Sequence, residues 1–125
     1  MRNKIRQQIL SNVPALSEVF QPGMAEKGVQ KPYAVVKFSG EIEGNIRKSY
    51  ERDIEVWVYT DRANYSQADT LLEDIIECLT TDFIETEDGY QFKLECTSLS
   101  EDLPFDIDLE AIPKYATFVY PLLRR

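Results

Sequence analysis

Residues 50–80, YERDIEVWVYTDRANYSQADTLLEDIIECLT, join a strand pattern to a helix pattern, and this pair decides the fold class. In the first third of the stretch, aliphatic residues alternate with aromatic and charged ones: Ile54, Val56 and Val58 against Glu55, Trp57 and Tyr59. Because successive side chains of a strand point to opposite faces, the alternation predicts a strand over residues 50–60 with one aliphatic face. The aromatic face suits partial burial by a helix or by another subunit.

The second part of the stretch predicts one long amphipathic helix at about residues 66–80. Its apolar residues recur at spacings typical of a helix: Ala68, Leu71, Leu72, Ile75, Ile76 and Leu79. Ser66 and Asp69 match a Ser-x-x-Asp variant of the capping box, which predicts that the helix begins at Ser66. Burial of the six side chains is worth on the order of 10 kcal/mol before entropy is subtracted, so the helix is expected to dock on other elements.

The segments before this stretch predict a helix and a strand. Apolar residues between Ile5 and Phe20 recur at spacings of mostly three or four, which predicts an N-terminal helix. Pro14 cannot lie deep in a helix, so we expect a break near residues 12–13 and two short helical pieces. Residues 33–39 are rich in strand formers, and residues 40–49 form a polar hairpin arm.

The segments after the helix predict three further strands. Asp88 and Gly89 suit a tight hairpin turn, whose arms are Phe83 with Ile84 and one alternating strand over residues 90–97. Residues 98–113 form an acidic, irregular loop. The last strand spans residues 115–123, at an edge of the sheet or ending near Pro121, because proline cannot donate to a ladder.

Together these patterns predict one α+β domain over residues 1–125. Its sheet is mainly antiparallel, with the long helix and the N-terminal helix packed on one face. The apolar fraction of 43% and the charged fraction of 29% are ordinary for a globular protein. The longest apolar runs fall far short of the ~20 residues of a membrane span, and the N-terminus lacks the apolar run of a signal peptide. We therefore expect a cytoplasmic protein without contact to a membrane.

The composition argues against several classes of function. The chain has no histidine, which excludes a Ser-His-Asp or Cys-His mechanism within it. Its net charge of −8 argues against a general nucleic-acid binder, which needs a basic surface. The five glycines are scattered and form no phosphate-binding loop. We expect no enzyme activity, no cofactor and no resident metal.

Two acidic patterns and two cysteines are the remaining candidates for chemistry. Asp53 and Glu55 share one face of a strand, but no metal-ligand cluster or catalytic lysine accompanies them at a recognisable spacing. Cys78 and Cys96 fall in apolar patterns and are expected to be reduced core residues.

The second acidic pattern resembles part of a calcium loop. Asp106, Asp108 and Glu110 alternate, but the glycine at the sixth position and the terminal glutamate of such loops are missing. A solvated acidic loop is therefore the favoured interpretation. The charge along the chain is also uneven, because residues 1–10 are basic and residues 82–110 hold ten acids against Lys93. Such asymmetry suits contact between copies or with a partner, and also an ordinary solvated surface.

The order of the elements resembles one known family. Lys31, Pro32 and Tyr33 open a strand, a polar arm follows, and residues 54–61, IEVWVYTD, run through a short turn into a helix with paired aliphatic residues. A terminal strand closes the chain. This pattern resembles the tail-terminator and tail-completion (head-to-tail joining) proteins of long-tailed bacteriophages and prophages. The acidic stretch 98–113 is longer than the resemblance leads us to expect.

The resemblance implies a mechanical function. Copies would form a ring, typically a hexamer, on the end of the tail tube, where they stop elongation and meet the tail tube protein and the head–tail connector protein. DNA would pass the channel without specific binding, and an acidic lining would repel its phosphates. The protein would be assembled in the bacterial host cytoplasm and reside in the tail or neck of the virion. The expected contact residues in the arm and on the strand are Glu41, Glu43, Arg47, Lys48, Trp57 and Tyr59.

Two other hypotheses stay open at this point. One is a monomeric acidic protein-binding module, such as an adaptor or a mimic of DNA charge. The other is a small metal-dependent hydrolase that uses Asp53 and Glu55. The arm residues and the aromatic residues equally fit a flexible hairpin and ordinary core packing.

Overall fold

A computed structural model describes residues 2–20, 30–39, 51–61, 65–85, 89, 91–107 and 110–121. These residues form two helices, a mainly antiparallel five-stranded sheet and a small two-stranded sheet, which confirms the predicted α+β class. The elements in chain order are α1 (Arg2–Asn12), β1 (Val19–Phe20), β2 (Tyr33–Ser39), β3 (Glu51–Thr60), α2 (Tyr65–Thr81), β4 (Ile84–Glu85), β5 (Gln91–Phe92), β6 (Glu95–Leu99) and β7 (Ile112–Pro121).

The large sheet has the order β1-β2-β3-β7-β6. β1 is parallel to β2, and the other neighbours are antiparallel. β3 is the central strand, and every residue of it from Glu51 to Thr60 is paired with β7. Its register places Trp57 between Val35 of β2 and Tyr115 of β7. The cross-strand contacts on both faces follow from this register.

Both helices cover the aliphatic face of the sheet, as the alternation in β3 predicts. Ile54, Val56 and Val58 are buried there in one core cluster with residues of α1 and α2. The buried residues of α2 follow the predicted spacing: Ala68, Leu71, Leu72, Ile75, Cys78 and Leu79. Ile76, expected in the core, is half-buried at its margin.

The start of α2 differs from the capping prediction. The helix begins at Tyr65, so Ser66 lies inside its first turn instead of at the cap. The carboxylate of Asp69 pairs with Lys114 of β7. An ion pair with a neighbouring strand has taken the place of the expected contact within the helix.

The segment after α1 forms a strand instead of a second helical piece, so that prediction is wrong. A turn closes with a 3.2 Å hydrogen bond from Leu16 N to Val13 O, and Val19 and Phe20 then pair with β2. Ala34 N donates to Glu18 O at 3.0 Å, which continues the pairing. Because Pro14 interrupts the helical ladder, the backbone after it is satisfied by the edge of β2.

The predicted hairpin is present, but its second arm is not one strand. β4 and β5 pair antiparallel, and Gly89, which lies between them in the chain, has a φ of 88°, a conformation suited to glycine; Asp88 lies outside the described residues. Lys93 and Leu94 then leave the ladder, and β6 joins the large sheet. The chain is therefore divided between two sheets where one continuous strand was expected.

The last strand lies inside the sheet, so its predicted position at an edge is wrong. β7 begins at Ile112, three residues earlier than expected, and runs between β3 and β6. β6 pairs only with residues 116–119 of β7. Pro113 lies outside that part, where β7 has a single neighbour and the missing N–H of proline is tolerated.

Candidate interaction face

The sheet face opposite the helices carries a continuous row of aromatic side chains. The row, called the aromatic row below, crosses four strands and consists of Phe20, Tyr33, Tyr59, Trp57 and Tyr115. Tyr33 and Tyr59 stack with centroids 4.9 Å apart, and Trp57 and Tyr115 stack at 4.3 Å. Both pairs lie directly opposite each other in the ladder, where such pairs stabilise a sheet by roughly 0.5–1.5 kcal/mol beyond burial.

One end of the row is buried within the chain. Tyr33 is buried, and only 6% of Tyr59 is exposed. Buried Ala111 belongs to the same hydrophobic cluster as both rings, and it forms a mutual backbone bridge with Asp106, with hydrogen bonds of 2.7 and 3.2 Å. The segment leading into β7 therefore covers this end of the row.

Burial and nearby charge raise the pKa values of the two phenols at the covered end, Tyr33 and Tyr59. Burial, then the neighbouring phenol of Tyr33 and the carboxylate of Asp106, raise the pKa of Tyr59 to about 12. Burial and the charge of Asp106 also raise the pKa of Tyr33. The hydroxyl of Tyr33 has no hydrogen-bond partner among the described residues.

The other end of the row is open and carries charge. Trp57 is half-buried, and its indole Nε1–H donates a 2.9 Å hydrogen bond to Oε1 of Glu55. The ammonium of Lys37 lies 4.2 Å from the centroid of the Trp57 ring. Lys37 and Glu55 are directly opposite in the β2–β3 ladder, so opposite charges border the ring. An amphipathic aromatic ring with charged neighbours is typical of protein interfaces.

The structure brings together only part of the predicted contact set. Trp57 and Tyr59 lie on one face, with Tyr59 at its covered end and Trp57 at its open end. Glu41, Glu43, Arg47 and Lys48 lie outside the described residues, so the arm stays a prediction. Lys37 and Tyr115 were missed as contact residues. The strand register that brings them beside Trp57 cannot be predicted from the sequence of any one strand.

The acidic candidates for metal binding are not assembled into a site in the described part of the chain, where no group of three or more Cys, Asp or Glu residues is placed to hold a metal ion. Glu55 accepts the indole hydrogen bond of Trp57. Asp106 takes part in the backbone bridge to Ala111. Asp108 lies outside the described residues, so the predicted loop is only partly described.

A second surface feature is an apolar groove between α2 and the strands β6 and β7. Leu72, Ile76 and Leu99 line it, and its volume is about 170 Å³. The charged residues at its border are Asp69, Glu73 and Lys114. Nζ of Lys114 also lies 3.1 Å from Asp102. Hydrogen bonding to Asp69 first, and to Asp102 as well, raises the pKa of Lys114 despite partial burial.

Both cysteines are free thiols. Cys78 is buried in the core, as expected, whereas Cys96 is only half-buried in β6. Burial, followed by the charges of Asp82 and Asp74, raises the pKa of Cys78 to about 11. Burial also raises the pKa of Cys96. Neither thiol is activated as a nucleophile.

None of the described helices is both long enough and apolar enough to cross a membrane. In comparisons with known proteins, no family model matches the chain, and no curated protein matches it either.

Proposed function

We propose that this chain is a structural protein of a phage or prophage virion. It forms a homo-oligomeric ring, typically a hexamer, at the end of the tail tube, where it terminates elongation and joins the tail to the head connector. The observation that carries the proposal is the aromatic row, whose Trp57 end is open on a sheet face that neither described helix covers. The order of helices and strands, which resembles the tail-terminator family, gives the second support.

The open end of the row has the composition of a protein contact. Trp57 and Tyr115 present a stacked pair of large rings, which gives contact area with little loss of side-chain freedom. Lys37 and Glu55 border that pair with opposite charges. Charges at the rim of an interface set its register and its choice of partner more than its affinity. A neighbouring copy is the proposed occupant of this face.

The acidic charge has a use in a ring that passes DNA. Glu73, Asp74 and Glu77 are exposed on the outer side of α2, and the whole chain carries a net charge of −8. An acidic surface facing the channel repels phosphates, so DNA passes without specific binding. The tail tube protein and the connector protein are the proposed neighbours along the axis of the ring.

The proposal is tested by light scattering behind size exclusion over a concentration series, with negative-stain images of the same fractions. Closed rings with an open channel are expected. Trp57→Ser should weaken assembly, while Ile107→Ser serves as the matched control, because Ile107 is 77% exposed and lies outside the row. A monomer at every concentration that also fails to cap a purified tail tube contradicts the proposal.

The acidic side of α2 also favours a second function, a monomeric acidic protein-binding module. The last turn of this helix contains no basic residue. This alternative predicts a strict monomer that binds a basic protein with a steep dependence on salt. The same size-exclusion series, repeated with a small basic protein added, separates the two functions.

A further inference from the structure

Phe83 is a large apolar side chain that the fold leaves in water. It follows α2, and 60% of it is exposed. The ammonium of Lys93 lies 4.4 Å from the centroid of its ring. Lys4 and Glu85 border the shallow cavity beside it. Burial of this ring against another protein surface would stabilise an assembly, because it removes apolar area from water.

The groove between α2 and β6 has the complementary character. Its apolar lining includes Leu99, a residue that is 57% exposed. Two carboxylates and one ammonium border it, namely Asp69, Glu73 and Lys114, and the ammonium also pairs with Asp102. The side chain of Lys114 is only 13% exposed, and it is already paired with Asp69 of the border and with Asp102. The lining therefore keeps an excess of one negative charge, two acids less one base, and Asp102 adds a second beside Lys114.

The ring and the groove agree in size, and Lys93 supplies one charge opposite to that of the groove. A cavity of about 170 Å³ accommodates one aromatic ring, since apolar cavities of ~150 Å³ bind benzene. Lys93 is carried with the ring, so its ammonium arrives at the acidic border. Asp82 and Glu85 flank Phe83 in sequence and Lys4 lines the cavity beside it, so two acids and, with Lys93, two bases surround the ring. Because Lys93 lies on the ring itself, it is the base that we expect to contact the acidic border of the groove.

We propose that Phe83 of one copy inserts into this groove of the next copy, with Lys93 beside Glu73. The inference rests on the proposed ring, because it names a contact between adjacent copies. Phe83 lies beyond the C-terminal end of α2, whereas the groove lies along its side next to β6. The contact is therefore heterologous: each copy offers one ring and one groove, the arrangement that a closed ring requires.

The test is disulfide crosslinking between two singly substituted proteins. Phe83→Cys and Leu99→Cys are made separately in a Cys96→Ser background, which leaves only the buried Cys78. Mixing and mild oxidation should give a crosslinked dimer that neither protein gives alone, because disulfides need Cβ atoms within about 4.5 Å. Ser98→Cys is the matched control for Leu99→Cys, since Ser98 is exposed but paired with Thr117, on the opposite face.

A charge exchange tests the same contact without cysteines. Lys93→Glu should weaken assembly by up to about fivefold, as for a partly exposed ion pair. Adding Glu73→Lys should restore it. If a cysteine variant fails to fold, ring assembly of Phe83→Ser and Ile107→Ser is compared by light scattering instead. Phe83→Ser should weaken assembly, and Ile107→Ser should leave it unchanged.

The outcomes separate this inference from the proposed function. Rings that form normally with Phe83→Ser, or that crosslink equally at Ser98 and Leu99, overturn the inference and leave the ring standing. Absence of any oligomer, with no crosslink in the mixture and no capping of tail tubes, overturns both.

Discussion

The backbone N–H of Leu94 donates a 3.1 Å hydrogen bond to the carbonyl of Leu79 in the last turn of α2. The last four carbonyls of a helix have no partner within it, so this bond satisfies one of them. Leu94 is also buried in the main core. The contact therefore ties the end of the helix to the short link between β5 and β6, and it separates the hairpin from the large sheet.

Ile75 is expected to be the most sensitive position of α2. It is fully buried between the helix and the sheet. Ile75→Ala should lower the free energy of unfolding by about 2–5 kcal/mol, and Ile75→Asp should prevent folding. Urea denaturation followed by circular dichroism measures the difference. Asp74→Ala, at the exposed neighbouring position, is the control and should stay within about 0.5 kcal/mol of the parent.

Tyr59 should give the protein an alkaline limit of stability. Burial, with the Tyr33 phenol and Asp106, raises its pKa to about 12 in the folded chain, against ~10 when unfolded. The stability that the neutral Tyr59 phenol contributes to the folded chain is complete below pH ~10. It is lost as the pH rises through about 12, because the ionised phenolate is more stable in the unfolded chain.

Titration at 295 nm checks the prediction for Tyr59. Tyr59→Phe should lose an ionisation near pH 12 and unfold at higher pH than the parent. Asp106→Asn should lower the pKa of Tyr59 only in part, because burial is the larger cause. An unchanged titration curve in Tyr59→Phe would count against the assignment.

The two thiols should differ in reactivity. Cys78 is buried and its pKa is raised to about 11, whereas Cys96 is half-buried in an edge strand. At pH 8 a disulfide reagent should label Cys96 first and reach Cys78 only through opening of the core. In the Cys96→Ser variant only Cys78 can react. Its labelling should be slow in native buffer and fast in urea. Equal rates for both thiols in native buffer are incompatible with this packing.

Trp57 is the one tryptophan of the chain and therefore reports directly on the open end of the aromatic row. Its emission should shift to shorter wavelength as copies associate, because a half-exposed indole loses contact with water. Fluorescence measured across the concentration series used for light scattering tests this. An oligomer that forms without any spectral change would place the contact elsewhere.

Local patterns predicted the elements whose two faces differ sharply. The alternation of β3 and the spacing of apolar residues in α2 are complete within each segment, so the strand, the helix and their buried faces follow from the sequence. The positive φ of Gly89 also suits the residue that the sequence places there, since glycine adopts it at no steric cost.

Long-range pairing decided the elements that were predicted wrongly. Val19 and Phe20 have helical spacing, yet they form a strand because the edge of β2 satisfies the backbone after Pro14. The alternation over residues 90–97 suits one strand, but the bond from Leu94 to Leu79 divides it. β7 lies inside the sheet because β6 pairs with its second half, beyond Pro113.

The sequence by itself determined the α+β class, the buried stripe of α2 and the aromatic side of β3, because each depends on a period repeated within one segment. Only the tertiary structure decided that Trp57 stacks on Tyr115 beside Lys37, and that Leu99 meets Leu72 and Ile76 at an acidic border. These contacts join residues far apart in the chain, and strand register and helix docking, which bring them together, are set by the packing of the whole core.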